Sequence, residues 1–346
     1  MRTTIVLLLA GLCALAIAGP VTQEGKQYKV VIAHQVLGYS AHPVHQYKVQ
    51  PSALEHFETA LRDPVFYQFY KRITYYFLKY KSHLPHYTYT QLNFPGVKVE
   101  SLNIVDKLIT YFEQFEFDIT NALYVNEEEY VKDDFQVWAR QYRLNYKPFT
   151  YKINVNSDKN TDVVVRVFLG PKYDEQGHEI PLNENRVNFV ELDKFVYTLH
   201  AGKNVIERNS RQAETVKDRT TYRALYQHVM SALKGQEEFH LDMTEAHNGF
   251  PSRFVLPKGK VGGQVYQFYV YVSPYTAKVQ KATYDKIISA GVGSGARYVD
   301  ELPFGYPFDR QIKSEHNFFV PNSFVEDVVI FHKVDSEVVK HYPHYY

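Results

Sequence analysis

From about position 94 onward the chain repeats one pattern, in which short apolar segments of strand length are separated by turn residues. In the first segments apolar side chains occupy alternate positions, as at Val97 and Val99, which is the period of a strand with one buried face. Segment 161–169, closed by Gly170-Pro171, is predicted to be a central strand, and 325–332 the last strand. The other predicted strands lie at 97–99, 115–119, 135–139, 142–153, 189–206, 253–256 and 265–272. This series predicts a mainly β fold with a β-sandwich over residues 94–346.

Ahead of the predicted strands, apolar residues recur at the spacing of a helix. Ser52 caps a short helix that ends near position 61, and Glu55 completes its capping box. Asp63 caps a second helix, which begins at Pro64 and ends near position 82, ahead of Pro85. Its apolar stripe consists of Phe66, Tyr70, Ile73 and Phe77. These elements are too few to enclose a helical domain, so residues 19–93 are predicted to be the last part of one.

Two further segments complete the predicted secondary structure. A helix at 221–234 interrupts the strand series, with Leu225 and Leu233 on its apolar face and Gly235 at its C-terminal cap. Segment 28–32 is apolar and short, and it is a candidate for one more strand.

The N-terminus has the organisation of a secretory signal. Arg2 supplies positive charge, residues 5–17 form the apolar core, and a small-x-small site predicts cleavage after Ala18. The alternative, an uncleaved membrane anchor, is weaker because the apolar run is short for a bilayer, and no later segment approaches a membrane span. This signal predicts that the mature chain is secreted. Cys13, the one cysteine, lies inside residues 1–18, so the mature chain is also predicted to lack disulfides.

The composition argues against a nucleic-acid partner and shows an excess of two aromatic residue types, Tyr and Phe. Lys+Arg number 39 against 38 Asp+Glu, so the basic face expected of a nucleic-acid binder is not indicated. Tyr (30) and Phe (23) together make up 53 of 346 residues, whereas Gly contributes 17. This excess has two interpretations: aromatic packing in a β-rich core, or a store of aromatic amino acids.

The candidate chemical motifs favour no catalytic, cofactor or metal site. The i, i+3 histidine pairs His42/His45, His83/His86 and His341/His344 each enclose a proline, so they are interpreted as loop or surface residues. Segment 291–295 has glycines but lacks the following helix of a dinucleotide fingerprint. Lys258 and Lys260 flank a turn glycine and require no phosphate to explain them. No Gly-x-Ser-x-Gly elbow is present, although a Ser/His/Asp triad that converges in space stays open.

Six separate segments carry a family resemblance. They lie at 36–39, 51–58, 92–99, 254–260, 302–310 and 327–332, and the fourth is expected to be a hairpin whose turn contains Pro257 and Gly259. Together they resemble the arthropod hemocyanin superfamily, and within it the insect hexamerins, including the aromatic-rich arylphorins. The resemblance implies that residues 19–93 are a remnant of the helical copper-type domain and that residues 94–346 are the immunoglobulin-like sandwich. It also implies that the chain is truncated at its N-terminal side.

The same resemblance bears on copper. On the helix that begins at Pro64, oxygen carriers and phenoloxidases of the superfamily have a copper-binding histidine, and Tyr70 stands at the matching position. A phenol does not replace a neutral imidazole in a copper pair, and the segments with the other histidines are not found. No metal and no cofactor are therefore expected. Phe66, Tyr70, Ile73 and Phe77 are expected to pack, with Tyr70 filling the space of the copper ligand.

Three functional hypotheses follow from the resemblance. The first is a secreted, copper-free, non-enzymatic storage protein that supplies Tyr and Phe from hemolymph and associates with itself or with other hexamerin subunits. The second is an accessory module that docks on full-length hexamerins or carries a hydrophobic small molecule. The third is a degenerate copy with little function. The expected loss of domains leaves the oligomeric state open.

Overall fold

The computed structural model of the chain describes residues 63–118, 138–213, 215, 222–238, 252–275, 300, 302–303, 305–334 and 339–340. The helices are α1 (Pro64–Lys81), α2 (Tyr89–Leu92), α3 (Leu182–Asn185), α4 (Tyr222–Leu233) and α5 (Glu315–Phe318). Short 3-10 turns occur at Arg186–Asn188, Ser210–Gln212 and Ser252–Phe254.

The predicted start of α1 is confirmed. The Asp63 carboxylate accepts a hydrogen bond from the Val65 backbone N–H at 2.9 Å, and Pro64 occupies the first helical position, where a missing N–H costs nothing. The helix ends where the N–H of Ser82 donates to the carbonyl of Leu78 at 2.9 Å. A short second helix, α2, follows and was not predicted.

Ten strands are described, and they form two sheets. Their bounds are β1 (Val97–Ile104), β2 (Leu108–Asp118), β3 (Trp138–Tyr146), β4 (Thr150–Ser157), β5 (Thr161–Pro171), β6 (Val190–Leu199), β7 (Gly202–Asn209), β8 (Gln264–Pro274), β9 (Ser323–His332) and β10 (Val339–Lys340). The small sheet has the order β1-β4-β7. The large sheet has the order β10-β2-β9-β8-β5-β6, and β3 pairs with β2 as an additional strand. The predicted mainly β sandwich is confirmed.

The core lies between the two sheets. Ile153 on β4, Val165 on β5 and Phe268 on β8 are all fully buried there. Both faces of β5 and β8 are covered, because their outward residues Phe168 and Tyr269 belong to a second cluster on the outer side of the large sheet. This arrangement explains why β5 reads as an almost unbroken apolar run. The other buried members of this outer aromatic cluster are Leu92, Tyr271, Tyr306, Phe308, Phe318 and Val320.

Three strand predictions are wrong in detail. The run 142–153 is two strands, because Pro148 has no N–H for a ladder and the chain crosses there from β3 in the large sheet to β4 in the small one. Segment 253–256 is not a strand, since a 3-10 turn ends at Phe254 and Val255 and Leu256 pack in the core. Strand β9 is not the last, because β10 follows it.

The predicted hairpin turn at Pro257 and Gly259 is also wrong. The tight turn lies three residues later, where the N–H of Gly263 donates to the carbonyl of Lys260 at 2.9 Å. Gly259 instead lies against the backbone of β9, so close that a Cβ added to it would be 2.5 Å from the carbonyl oxygen of Ile330. Its glycine identity therefore serves a close backbone approach rather than a turn.

Other predictions are confirmed. Strands at 161–169 and 265–272 lie inside the large sheet as β5 and β8. The strand content predicted for 189–206 is also present, but it is divided between β6 in the large sheet and the first part of β7 in the small sheet. Helix α4 matches 221–234 within a residue at each end, and Gly235 follows it with φ +70°. The predicted elements at 28–32 and 52–61, residues 119 and 135–137, and segment 291–295 lie outside the described residues. Within the described part of the chain, no helix combines the length and the apolar character needed to cross a bilayer.

Candidate functional site

Tyr70 lies near the middle of α1, on a helix that is mostly exposed. Its ring centroid is 4.4 Å from that of Phe66, one turn earlier, and 41% of the residue is accessible to water. Of the predicted stripe only Ile73 is buried, and Phe77 is 47% exposed. Tyr70 therefore packs along the helix against Phe66 and does not fill an enclosed space, which corrects the expectation for Tyr70 and Phe77.

The histidines that the structure describes near α1 lie in the loop after it. The N–H of His83 donates to the carbonyl of Tyr80 at 3.1 Å, and His86 lies in the extended segment before α2, so the predicted loop position of this pair is confirmed. The pairs His42/His45 and His341/His344 lie outside the described residues. Among the described residues, no group of three or more His, Cys, Asp or Glu side chains is arranged to hold a metal ion.

A buried carboxylate, Asp309, fastens the end of α1 to the sandwich. Lys81, in the last turn of α1, donates its ammonium to Oδ2 of Asp309 at 2.6 Å, and the hydroxyl of Tyr87 donates to Oδ1 at 3.0 Å. Burial and, secondly, the Asp309 carboxylate raise the pKa of Tyr87 well above its usual range. Arg310 completes the contact, because its guanidinium donates to the carbonyl of Pro85 at 3.1 Å and lies 4.3 Å from the Tyr87 ring centroid.

Asn322 fixes the segment that follows α2. Its amide donates to the carbonyls of Leu92 at 3.0 Å and Val272 at 2.8 Å, and its carbonyl oxygen accepts the N–H of Phe94 at 2.9 Å. The side chain is fully buried. Asn322 therefore bonds β8 and the chain entering β1 at the same time, with each of its polar atoms used.

Two tyrosines also hydrogen-bond in the region that Asn322 holds. The hydroxyl of Tyr271 donates to the carbonyl of Leu92 at 2.7 Å and lies 2.9 Å from the hydroxyl of Tyr306. Burial, which is the largest cause, raises the pKa of Tyr271 far above its usual range, and the neighbouring Tyr306 adds to the effect. We call residues 81–94 together with Tyr271, Tyr306, Asp309 and Asn322 the junction. The hydrogen bonds described above link its buried polar groups, so the junction positions chain segments.

Two buried charged pairs elsewhere also serve the fold. Arg166, in the middle of β5, donates to both carboxylate oxygens of Asp300 at 2.6 Å and to the hydroxyl of Ser273 at 3.0 Å. Asp193 on β6 accepts from Arg208 at 2.8 Å and from the hydroxyl of Tyr151 at 3.0 Å. Burial raises the pKa of Tyr151, with Asp193 second. Both pairs link different strands or segments.

Sequence reasoning did not find the junction. Segment 302–310 was singled out because it resembles a family motif, but nothing in it identified Asp309 as the partner of Lys81. Asn322 had no signal beyond its position after Pro321, just before β9.

Comparison with known proteins places the chain in a family. Residues 86–332 match the family model of the hemocyanin Ig-like domain, and residues 21–77 match that of the hemocyanin copper containing domain. The chain therefore belongs to the hemocyanin superfamily, and the relatives below place it with the insect hexamerins, which confirms the resemblance. The domain boundaries proposed from the sequence, 1–18, 19–93 and 94–346, remain predictions.

The most similar curated proteins include an arylphorin, a hexamerin and a larval serum protein. Arylphorin subunit A4 of Calliphora vicina is 46% identical over 314 residues, which is 89% of this chain and 41% of the relative. Hexamerin of Blaberus discoidalis is 47% identical over 312 residues, 88% of this chain and 42% of the relative. Larval serum protein 1 alpha chain of Drosophila melanogaster is 45% identical over 325 residues, 92% and 39% respectively. The chain thus spans about two fifths of the length of these relatives.

Solved structures show the same fold at lower identity. A scorpion hemocyanin in its activated state superposes with a TM-score of 0.62 at 22% identity, covering 94% of this chain and 56% of that one. A crustacean hemolymph-type prophenoloxidase superposes with a TM-score of 0.61 at 23% identity, covering 90% of this chain and 45% of that one. At such identities the likeness concerns the fold alone.

Proposed function

We propose that this chain is a secreted, copper-free storage protein of the hemolymph that serves as a reserve of tyrosine and phenylalanine and catalyses no reaction. One observation carries the proposal: a member of the hexamerin family devotes 53 of its 346 residues to Tyr and Phe. In this proposal the composition is the functional property, and the fold keeps that aromatic content soluble until the protein is degraded.

The distribution of the two residue types supports this role. Among the described residues, eight tyrosines but only two phenylalanines are strongly exposed. A phenol can bond water while its ring covers apolar surface, so tyrosine tolerates exposure better than phenylalanine does. Phe149, Phe168 and Phe268 are instead fully buried. The chain thus has a high aromatic content, and most of the exposed rings among its described residues have a hydroxyl.

The storage role is tested by following the protein and its tyrosine through development. We expect its level in hemolymph to rise during larval feeding and fall at metamorphosis, and label supplied as ring-deuterated tyrosine to move from this chain into newly made adult proteins. A hemolymph protein of ordinary aromatic content, labelled in the same animals, is the control. A constant level, or transfer no greater than that of the control, contradicts the proposal.

The copper-free state is tested separately. After equilibrium dialysis with copper, we expect the secreted chain to retain less than one tightly bound ion and to oxidise no diphenol. The Tyr70→His variant should behave in the same way, because one histidine does not make a copper pair. Stoichiometric copper with oxygen binding or phenol oxidation in the natural chain contradicts the proposal.

A second candidate function is docking, and the exposure of α1 favours it. Ile73 is the one buried residue of this helix, while Tyr75, Tyr76 and Tyr80 are each more than half exposed. We propose that the chain associates through this helix, either with itself or with a full-length hexamerin subunit. Native mass by light scattering separates the cases: a hexamer-sized particle supports self-association, recovery with larger subunits supports docking, and a monomer alone contradicts both.

A further inference from the structure

An open cleft of about 420 Å³ lies at the end of the large sheet where β8 begins and β9 ends. This volume is within the range of small-molecule sites. Two of its lining residues are the lysines that the sequence analysis attributed to a turn. The lining residues are Lys258, Gly259, Lys260, Val261, Gln264 and His332.

The backbone that presents these lysines is fixed by hydrogen bonds on both sides. The N–H of Gly259 donates to the buried hydroxyl of Thr110 at 3.1 Å. The carbonyl of Lys260 accepts the N–H groups of His332 and Gly263, each at 2.9 Å. The close approach of Gly259 to Ile330 leaves the loop no room to shift toward β9. Lys258 and Lys260 therefore start from defined positions on one wall of the cleft.

His332 forms another part of the wall and is held by the same threonine. The Thr110 hydroxyl accepts the N–H of Gly259 and lies 3.1 Å from the carbonyl oxygen of Phe331 and 3.0 Å from Nδ1 of His332. The ring also meets Phe112 edge-on, with centroids 5.2 Å apart. These contacts fix the orientation of the imidazole relative to the two lysines.

Two lysines line the cleft. Within the part of the chain that the structure describes, neither Lys258 nor Lys260 forms an ion pair. The ammonium of Lys258 is 4.9 Å from the ring centroid of Phe112, and this aromatic face limits the range of the ammonium group.

We propose that this cleft binds a small multivalent oxyanion, a phosphate or a polycarboxylate. The ammonium groups of Lys258 and Lys260 hold it directly by charge-assisted hydrogen bonds. Because the lysines are exposed, binding depends on ionic strength. This ligand site is independent of the storage and docking proposals.

The test is calorimetric titration of the secreted full-length chain with inorganic pyrophosphate and, separately, with citrate, at an ionic strength of about 0.02 M. We expect saturable binding of at least one probe, and the Lys258→Gln/Lys260→Gln variant should bind that probe about tenfold more weakly. Raising the ionic strength to about 0.15 M should weaken the natural chain's binding as well.

Lys98→Gln/Lys203→Gln is the matched control. These two exposed lysines also form a pair, because both lie opposite Asn156 on the small sheet, and their replacement changes the net charge equally. Unchanged affinity in the control, together with the tenfold loss at Lys258 and Lys260, supports the cleft. Equal losses in the two variants indicate general charge attraction and overturn the proposal, as does the absence of binding of both probes. Circular dichroism of each variant verifies folding, and a folded cleft variant with full affinity also overturns it.

Discussion

Asn322 shows how one buried polar side chain can determine the course of the backbone. Its amide donates to two carbonyls and its carbonyl oxygen accepts one N–H, and these groups lie on β8 and on the segment that enters β1. An apolar residue of the same size would leave these buried backbone groups without the partners that they now have. The cost of an unsatisfied buried group, rather than the modest net gain of each bond, makes this position sensitive.

We predict that Asn322→Ala lowers the free energy of unfolding by about 3 kcal/mol, because the partly buried N–H of Phe94 and the buried carbonyl of Val272 lose these bonds. Urea denaturation followed by circular dichroism measures the change. Asn103→Ala, at an exposed position of β1, is the control and should change stability by less than about 0.5 kcal/mol. Similar losses in both variants would contradict the role assigned to Asn322.

Two glycines of one loop give a second prediction. A Cβ at Gly259 would lie 2.5 Å from the carbonyl oxygen of Ile330, whereas one at Gly262 would meet no atom within 4 Å. Gly259→Ala should therefore destabilise the fold by about 2 kcal/mol or more, since backbone must move. Gly262→Ala should be neutral or stabilising by up to about 1 kcal/mol through the unfolded state. Thermal and urea unfolding of the two variants compare them, and equal effects would count against the close approach.

Among the secondary-structure elements, helix α1 is stabilised by contacts at its two ends more than by burial of its side chains. Its one buried residue is Ile73, its N-terminus is capped by Asp63, and its C-terminus is tied to Asp309 through Lys81. By contrast, β5 and β8 are covered on both faces and belong to the core. Elements with few buried contacts open locally at low free-energy cost, so α1 should open independently of the sandwich.

We predict that Asp63→Ala weakens the first turn of α1 by about 1 kcal/mol, because the Val65 N–H loses its cap. Hydrogen exchange measured by mass spectrometry should show faster exchange in peptides covering residues 64–70. Exchange in β5 and β8 should stay at its natural rate. Gln68→Ala, at an exposed position within the helix, is the control and should not accelerate exchange. Slower exchange everywhere, or equal acceleration in the sandwich, would contradict the local role.

For the whole molecule, the aromatic residues build two cores and leave several phenols away from water. Tyr151 lies between the sheets, whereas Tyr269 and Tyr271 lie in the outer aromatic cluster. Burial is the largest cause that raises the pKa of each of these three phenols above its ordinary value. The fold therefore stabilises their neutral form.

This shift predicts loss of stability in alkali. Below pH 10 the phenols are neutral in both states, and the stabilisation is fully present. As pH rises through about 10, the unfolded chain ionises first and the native state keeps its protons, so the free energy of unfolding falls by about 1.4 kcal/mol per pH unit for each buried tyrosine. Urea unfolding between pH 7 and about 11 measures this slope.

Tyr271→Phe should make the slope shallower by about one tyrosine, whatever the variant's stability at neutral pH. Tyr142→Phe, which removes an exposed phenol, is the matched control. Equal slopes in the natural chain and in Tyr271→Phe would show that this phenol does not control the alkaline loss.

The sequence by itself determined the structural features that depend on residues close together along the chain. The cap at Asp63, the end of α4 at Gly235 and the strands β5 and β8 could be predicted because hydrogen bonds and side-chain periods within a few residues define them. The break at Pro148 is also a local signal, because a proline has no N–H for a ladder, and the predicted strand at 142–153 ran through it. The resemblance to hexamerins likewise rested on short segments in order along the chain.

Tertiary structure alone decided the junction and the cleft. Lys81 and Asp309 are 228 positions apart, and Leu92 and Asn322 are 230 apart, so no spacing rule links them. From the sequence, Gly259 is interpreted as a turn residue, and only its contact with β9 shows otherwise. Lys258 and Lys260 line a cleft together with His332, which belongs to a distant segment of the chain, β9. Such contacts depend on which strands pair and in which register, and that choice is made by burial of the whole core rather than by any single segment.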